Sequence, residues 1–436
     1  MVERKSGNIK KIFFNILWML FDKVFILALN LLVTVKIANY YGTFEYGSYQ
    51  YAVSVVALFE VLVTFVDARV VKKRYYSENA GELVWNATIS RLFFSALASI
   101  GGTIYIIVSG ESKDYNVIFL ILLINAIVLN LRFGMQNRYE YLLKSRKVII
   151  ASNIALTIGG VLQLAAVHFH WSIVAISVIT ALSSLIALVI VYVQYRIDYG
   201  RLAQGKIKVE IIKGLLIESL PLAIAASCAI VYSRCDTIMV GNLLSKADVG
   251  VYSIAAKLIS IVQIGIAPIR ESVYPKMIQL YITNKKQYAK RYIQITSLFT
   301  WIYIVVVLLS FVILPYAFRV LNQEYAEAYP VYQVYVIGSF FMYNAGLRAG
   351  HYTLINRGNI LMITQIISLG INLVLNYILI RFIGIYGAAI ATGITQCISL
   401  FLSNLFFGKE GREVFFWQLK ALNPFCMISL DMNKIK

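Results

Sequence analysis

Along this chain apolar residues gather into long runs, and polar residues into short clusters between them. A helix that crosses a bilayer needs roughly 20 predominantly apolar residues. About twelve runs reach that length: 12–38, 47–70, 83–108, 117–133, 148–169, 173–195, 215–240, 249–269, 293–316, 331–354, 360–382 and 385–407. The pattern predicts an all-α integral membrane protein of about twelve transmembrane helices.

Composition points the same way. Of 436 residues 60% are hydrophobic and only 14% charged, with a mean hydropathy of +0.74, too apolar for an ordinary soluble domain. A net charge of +19 suggests nucleic acid in other settings. Here the basic residues sit in short clusters between apolar runs, which is a topology signal, and no nucleic-acid partner is expected. No small-residue cleavage site follows the first run, so the first span is expected to be retained.

Charge also orients the helices. Of 40 Lys and Arg residues, 28 fall in connections on one side, and only Lys113, Lys246, Arg319 and Arg381 on the other. The positive-inside rule then places both termini in the cytoplasm.

The chain repeats itself. Residues 39–52 align without a gap on residues 242–255, pairing Asn39 with Asn242, Glu45 with Asp248, Gly47 with Gly250, Tyr49 with Tyr252 and Ala52 with Ala255. Internal repeats mark many transporters. An even number of spans between the copies relates the halves by an axis along the membrane normal. The expected division is an N-terminal lobe at 1–200 with helices 1–6, a cytoplasmic linker at 201–214, a C-terminal lobe at 215–408 with helices 7–12, and a cytoplasmic tail at 409–436.

Eight basic residues remain inside the spans: Lys23, Lys36, Arg69, Arg91, Arg234, Lys257, Arg270 and Arg348. Lys36 and Arg69 are close enough to helix ends to snorkel, and Arg270 beside Glu271 suits the cytoplasmic mouth. Lys23, Arg91, Lys257 and Arg348 lie deeper. Either they line a water-filled cavity that receives an anion, or they pair with Asp22, Glu60 or Glu218.

A second group offers hard oxygen ligands of the kind sodium accepts. It comprises Asp236 on the seventh span, Asn372 and Asn376 at i,i+4 on the eleventh, and Thr392 and Thr395 on the twelfth. The competing reading is interhelical hydrogen bonding with a local Arg234–Asp236 pair.

Several chemistries lack their residues. The longest outside connection, near 317–329, is too short for a catalytic domain, and the first outside loop carries one carboxylate, Glu45, where a membrane glycosyltransferase or polymerase needs paired carboxylates or a large loop. There is no GxxxxGK[ST] phosphate cradle. His168 and His170 form an HxH that reads as an interfacial polar cap, and Cys228, Cys235, Cys397 and Cys426 read as small core residues without metal spacing. The chain is not expected to be an enzyme or to hold a cofactor, beyond sodium or proton coupling.

The segments 15–18 (NILW), 38–49 (ANYYGTFEYGSY), 232–241 (YSRCDTIMVG), 250–257 (GVYSIAAK) and 384–392 (GIYGAAIAT), in this order and spacing, resemble the polysaccharide transporter family of Wzx-type flippases. That family is part of the multidrug/oligosaccharidyl-lipid/polysaccharide exporter superfamily, beside the lipid II flippase and the drug/sodium antiporters. The resemblance implies two pseudo-symmetric six-helix lobes around a central cavity open alternately to each side. It implies a bacterial inner-membrane protein that moves undecaprenyl-diphosphate-linked oligosaccharide repeat units to the outer leaflet for O-antigen, capsule or exopolysaccharide assembly. Its partners would be the lipid-linked oligosaccharide, membrane lipids, and polymerase and chain-length proteins. On that reading Lys23, Arg91, Lys257 and Arg348 hold the diphosphate, and relatives hold sodium between the helices matching those of Asp236. One departure is Val66-Asp67, where the family pattern expects Leu-Gly, so the path of that helix end is open. A drug/cation antiporter of the same superfamily is the alternative, disfavoured by the surplus of intramembrane Lys and Arg.

Overall fold

The computed structural model describes the backbone of residues 3–200, 206–263 and 266–428. Side chains are described within those ranges from residue 26 on, except at 261, 263–268, 271, 272, 427 and 428. Part of the expected linker, 201–205, and the end of the tail, 429–436, lie outside the described residues. Helices dominate, and among the described residues there is no strand.

Two compact units emerge: one of Met1–Tyr41 with Val66–Ile217, the other of Gly42–Phe65 with Glu218–Lys436. The first contains the start of α1 (Glu3–Phe59), then α2 (Ala68–Arg74), α3 (Ala80–Ser109), α4 (Lys113–Leu131), α5 (Phe133–Tyr141), α6 (Ser145–His168), α7 (Ile173–Tyr199) and the start of α8 (Val209–Leu243). Polar residues just before the helices start them. Asn79 Oδ1 accepts from Gly81 N at 2.9 Å and Ser112 Oγ from Tyr115 N at 3.3 Å, answering amides that have no partner inside the helix. Small residues let the helices approach: a Cβ at Gly159 of α6 would stand 2.0 Å from Ser183 Oγ of α7.

The helix end left open by Val66-Asp67 is a real break. A 3-10 turn, Glu60–Phe65, ends the helical run, and Asp67 caps α2 by accepting from Arg69 N at 2.7 Å.

The second unit holds the rest of α1 and of α8, with α9 (Lys246–Gln263), α10 (Ile266–Thr283), α11 (Lys285–Phe318), α12 (Ala328–Gly338), α13 (Phe340–Asn344), α14 (Arg348–Leu354), α15 (Gly358–Ile383) and α16 (Ile385–Gln396). After a π turn at Cys397–Phe401 and a 3-10 turn at Leu402–Phe406 come α17 (Gly408–Lys420) and α18 (Phe425–Ile428). The expected tail is thus partly folded: α17 packs on α11 and buries Val414 and Gln418.

Inside this unit the two copies of the repeat cross each other. Glycine at 47 and 250 makes the crossing possible, because a Cβ at Gly47 would stand 1.7 Å from the Lys246 carbonyl oxygen and one at Gly250 would stand 2.3 Å from that of Thr43. Thr43 and Lys246 are themselves equivalent in the repeat, so the contact is self-complementary, as in a two-fold interface. Gly42, at φ 73 and ψ 179, kinks α1 just before this crossing, a conformation that favours a residue without a Cβ. The helix restarting at Thr43 is capped from far away in the sequence. Glu324 Oε2 accepts from Thr43 N at 3.1 Å and from Thr43 Oγ1 at 3.4 Å.

Among the described residues, nine helical segments are long and apolar enough to cross a membrane. One, Ile26–Arg74, joins the first two predicted spans through the Gly42 kink. Of the remaining predicted spans, 249–269 falls on α9 and the start of α10, and 331–354 is divided into α12, α13 and α14. The division follows Gly338 and the pair Ala345-Gly346. Glycine weakens a helix, and the Val336 carbonyl accepts from the Tyr303 hydroxyl.

Candidate functional site

The site begins with an inverted helix. On α15 the buried positions recur every fourth residue, Ile360, Thr364, Ser368, Asn372, Asn376 and Ile380, while Ile363, Ile366, Ile367, Leu373, Val374 and Ile378 are exposed. Residues four apart share a face, so the polar stripe faces protein and the apolar side is free to meet lipid. Next to it α16 offers small residues. A Cβ at Gly387 would stand 2.3 Å from the Leu379 carbonyl oxygen, and Gly338 of α12 would meet the Gly393 Cα at 2.4 Å. These close approaches bring Thr392 up to the α15 stripe.

Asp236 of α8 enters the same place and is only 6% exposed. Its Oδ1 accepts from Asn376 Nδ2 at 2.6 Å, and its Oδ2 from Thr392 Oγ1 at 2.7 Å and from Tyr252 OH at 2.9 Å. Asn376 Nδ2 also donates to Asn372 Oδ1 at 3.0 Å, and Cys235 Sγ donates to the same oxygen at 2.9 Å. Four helices, α8, α9, α15 and α16, therefore converge on one carboxylate. Arg234 does not pair with it: among the described residues Asp236 has hydrogen-bond donors but no salt bridge. Burying an unpaired charge is costly, and such a group either gains a cation or gains a proton.

Of the five residues read from the sequence as an oxygen site, four are brought together. Thr395 is buried one turn further along α16, but its hydroxyl donates to its own helix at Ala391 O, 2.7 Å away. Tyr252 and Cys235 join the group without having been singled out for it. Tyr252 carried a signal, since it is the repeat partner of Tyr49, whereas Cys235 carried none beyond adjacency to Asp236.

One observation tests whether this group suits a monovalent cation. The Asn376 Oδ1 atom is buried without a hydrogen-bond partner although its amide nitrogen touches Asp236. An orphaned acceptor beside a carboxylate, with further amide and hydroxyl oxygens around it, is a donor set for a hard cation.

Of the four deep cations, Arg91 lies in the first unit and Lys257 and Arg348 in the second. Lys23 lies outside the described side chains. Arg91 belongs to the first unit, where Nε and Nη2 donate to the Val66 carbonyl at 3.1 and 2.8 Å, Nη1 donates to Asn130 Oδ1 at 3.2 Å, and the guanidinium stacks 3.7 Å from the Phe133 ring centroid. It thereby satisfies the backbone at the Val66-Asp67 break. In the second unit, Arg348 of α14 is 3% exposed and donates to Asn404 Oδ1 at 2.8 Å and Ser403 Oγ at 3.4 Å. Asn404 in turn donates to Gln418 Oε1 at 2.8 Å. Arg348 thus has neutral partners and, among the described residues, no salt bridge. Lys257 of α9 points its Nζ to 5.8 Å from the Tyr46 ring centroid. It lies five residues past Tyr252, about 140° around the helix, so it faces away from the Asp236 group.

The sequence profile of a family described as "Polysaccharide biosynthesis protein" matches residues 12–281, and that of MatE matches residues 221–378. Among solved structures, the inward closed lipid II flippase MurJ is similar with a TM-score of 0.75 at 14% identity, covering 93% of this chain and 91% of that one. An inward-facing multidrug resistance MATE transporter of the MOP superfamily gives 0.71 at 12%, covering 92% and 95%. A MOP superfamily transporter from Pyrococcus furiosus gives 0.54 at 12%, covering 92% of each. At such identities the likeness establishes the fold. Among curated proteins no sequence match is found.

Proposed function

Because the chain belongs to the polysaccharide biosynthesis protein family, whose profile covers residues 12–281, and is a multi-pass membrane transporter, we propose that it flips undecaprenyl-diphosphate-linked oligosaccharide repeat units from the cytoplasmic to the outer leaflet of a bacterial inner membrane by alternating access. Both termini face the cytoplasm on this reading, and the product feeds O-antigen, capsule or exopolysaccharide assembly, with polymerase and chain-length proteins as partners. The single observation that carries it is Arg348, a deeply buried guanidinium whose hydrogen-bond partners are neutral. A cation kept in such a place favours an anionic cargo. Lys257, Arg91 and Lys23 complete the candidate set. With the cytoplasm negative, outward movement of negative charge gains roughly 2.3 kcal/mol per charge per 100 mV.

The Asp236 group supports coupling to sodium. Asp236, Asn372, Asn376 and Thr392 would supply the oxygens, and sodium would supply the counter-charge that the buried carboxylate lacks. With a cation between them, Asn376 can turn its orphaned Oδ1 toward Asp236 without repulsion.

The experiment is reconstitution in proteoliposomes with a fluorescent lipid-diphosphate oligosaccharide. Wild type is compared with Lys257→Ala, Arg348→Ala and Arg348→Lys, with a sodium gradient on or off. Loss of flipping in correctly folded variants, and acceleration of wild type by the gradient, supports the reading. Export of organic cations with no lipid movement replaces it with an antiporter.

A further inference from the structure

We propose that a groove between the first turns of α11 and the end of α17 binds the headgroup of an anionic phospholipid. The groove is a cavity of about 330 Å³ within the second unit, lined by Lys290, Ile293 and Gln294 of α11, Leu419 and Lys420 of α17, and Asn423 just beyond. The proposal does not depend on the substrate assigned above.

Charge sets the chemistry. The first two turns of α11 carry Lys285, Lys286, Lys290 and Arg291, with no acidic residue in the first turn. A helix start is already positive from its aligned peptide dipoles, so cations there add to an unmet positive potential. Lys420, from the opposite wall, adds another cation to the same groove. Among the described residues neither Lys290 nor Lys420 forms a salt bridge. Two ammonium groups facing one cavity ask for an anion.

The walls say what the anion is attached to. Ile293 and Leu419 are apolar, and near the lining residues along the chain Phe416, Leu422 and Phe425 are 51%, 37% and 73% exposed. In a membrane protein exposed apolar side chains of this kind suit lipid. A free phosphate has no use for apolar walls, whereas a phosphodiester on a glycerol places its charge between the lysines and its acyl carbons against Ile293 and Leu419. The groove is also preformed. Ser297 Oγ donates to Asn423 O at 3.0 Å and Trp301 Nε1 to Leu422 O at 3.2 Å, fastening the end of α17 to α11. Its floor is fixed as well, because Gln294 is 2% exposed and its Oε1 accepts from Arg291 Nη1 at 3.1 Å.

The test uses the purified full-length protein exposed to equal amounts of phosphatidylglycerol and phosphatidylcholine, with retained lipid counted by native mass spectrometry. Wild type is expected to retain phosphatidylglycerol preferentially. K290Q/K420Q is expected to weaken that binding by about fivefold per lysine, roughly thirtyfold together. The control K285Q/K286Q, with the same charge loss outside the groove, is expected to change it little, and excess inorganic phosphate is expected not to displace the lipid. Equal loss in both double variants, equal retention of the two lipids, or displacement by inorganic phosphate overturns the proposal. Should K290Q/K420Q fail gel filtration, Leu419→Glu, at an exposed position, brings a carboxylate into the same groove and must also expel phosphatidylglycerol; retention of the lipid there overturns the proposal equally.

Discussion

Gly47 and Gly250 meet where the two copies of one sequence repeat cross, and each occupies the space a side chain would need against the other copy's backbone. Backbone cannot swing aside as a side-chain tip can. Gly47→Ala and Gly250→Ala should therefore each push the crossing apart at a cost of about 1–3 kcal/mol, as overpacking does. Thermal unfolding of the purified protein reads this. An unchanged midpoint in either variant means the crossing tolerates a methyl group and the contact is looser than described.

Sodium should stabilise the folded protein through Asp236. A ligand present at 100 times its dissociation constant adds about 2.7 kcal/mol, which shows as a rise in unfolding temperature. Asp236→Asn should abolish that rise while leaving the potassium control unchanged. A sodium shift of full size in the variant places the ion elsewhere.

Two threonines on one helix should behave differently. Thr392 donates to Asp236, so Thr392→Val removes a charge-assisted hydrogen bond and should weaken the sodium response by about tenfold, equivalent to roughly 1.5 kcal/mol. Thr395 donates only to Ala391 of its own helix, so Thr395→Val should leave the response within about twofold. A sodium titration followed by tryptophan fluorescence compares them. Equal losses would bring Thr395 back into the site.

The folded part of the tail should matter to Arg348. Gln418, fully buried, accepts from Asn404, which holds Arg348. Gln418→Leu leaves polar groups short of partners and should cost about 1–3 kcal/mol. It should also slow lipid flipping even after the protein is shown to be folded. Wild-type flipping in a folded Gln418→Leu protein would make α17 a structural support alone.

The helical membrane architecture was legible because apolar runs of spanning length leave few alternatives. The α15 stripe was legible too, since Asn372 and Asn376 at i,i+4 stand out in an apolar background. What escaped the sequence depends on helices meeting. Tyr252 donates to Asp236 only because α9 folds back on α8, and Arg91 turned out to hold the Val66 carbonyl, a backbone atom that no side-chain pattern announces. The division of 331–354 was hidden by its apolar composition, because Gly338 and Gly346 are common enough in membrane helices to pass unremarked. The repeat, too, is less symmetric than it reads. Counting 203 residues back from Asp236 gives Val33, so the carboxylate has no acidic counterpart in the first copy.

The Glu324 cap on Thr43 sets an order of events during synthesis. The two residues are 281 positions apart, and chains grow at about 5–20 residues per second, so the ribosome needs roughly 15 to 55 s to deliver the cap after the helix start has emerged. Until then the carboxylate that accepts from the Thr43 amide does not exist. The end of this first-half helix at Thr43 is thus finished only when about half of the second half has been made.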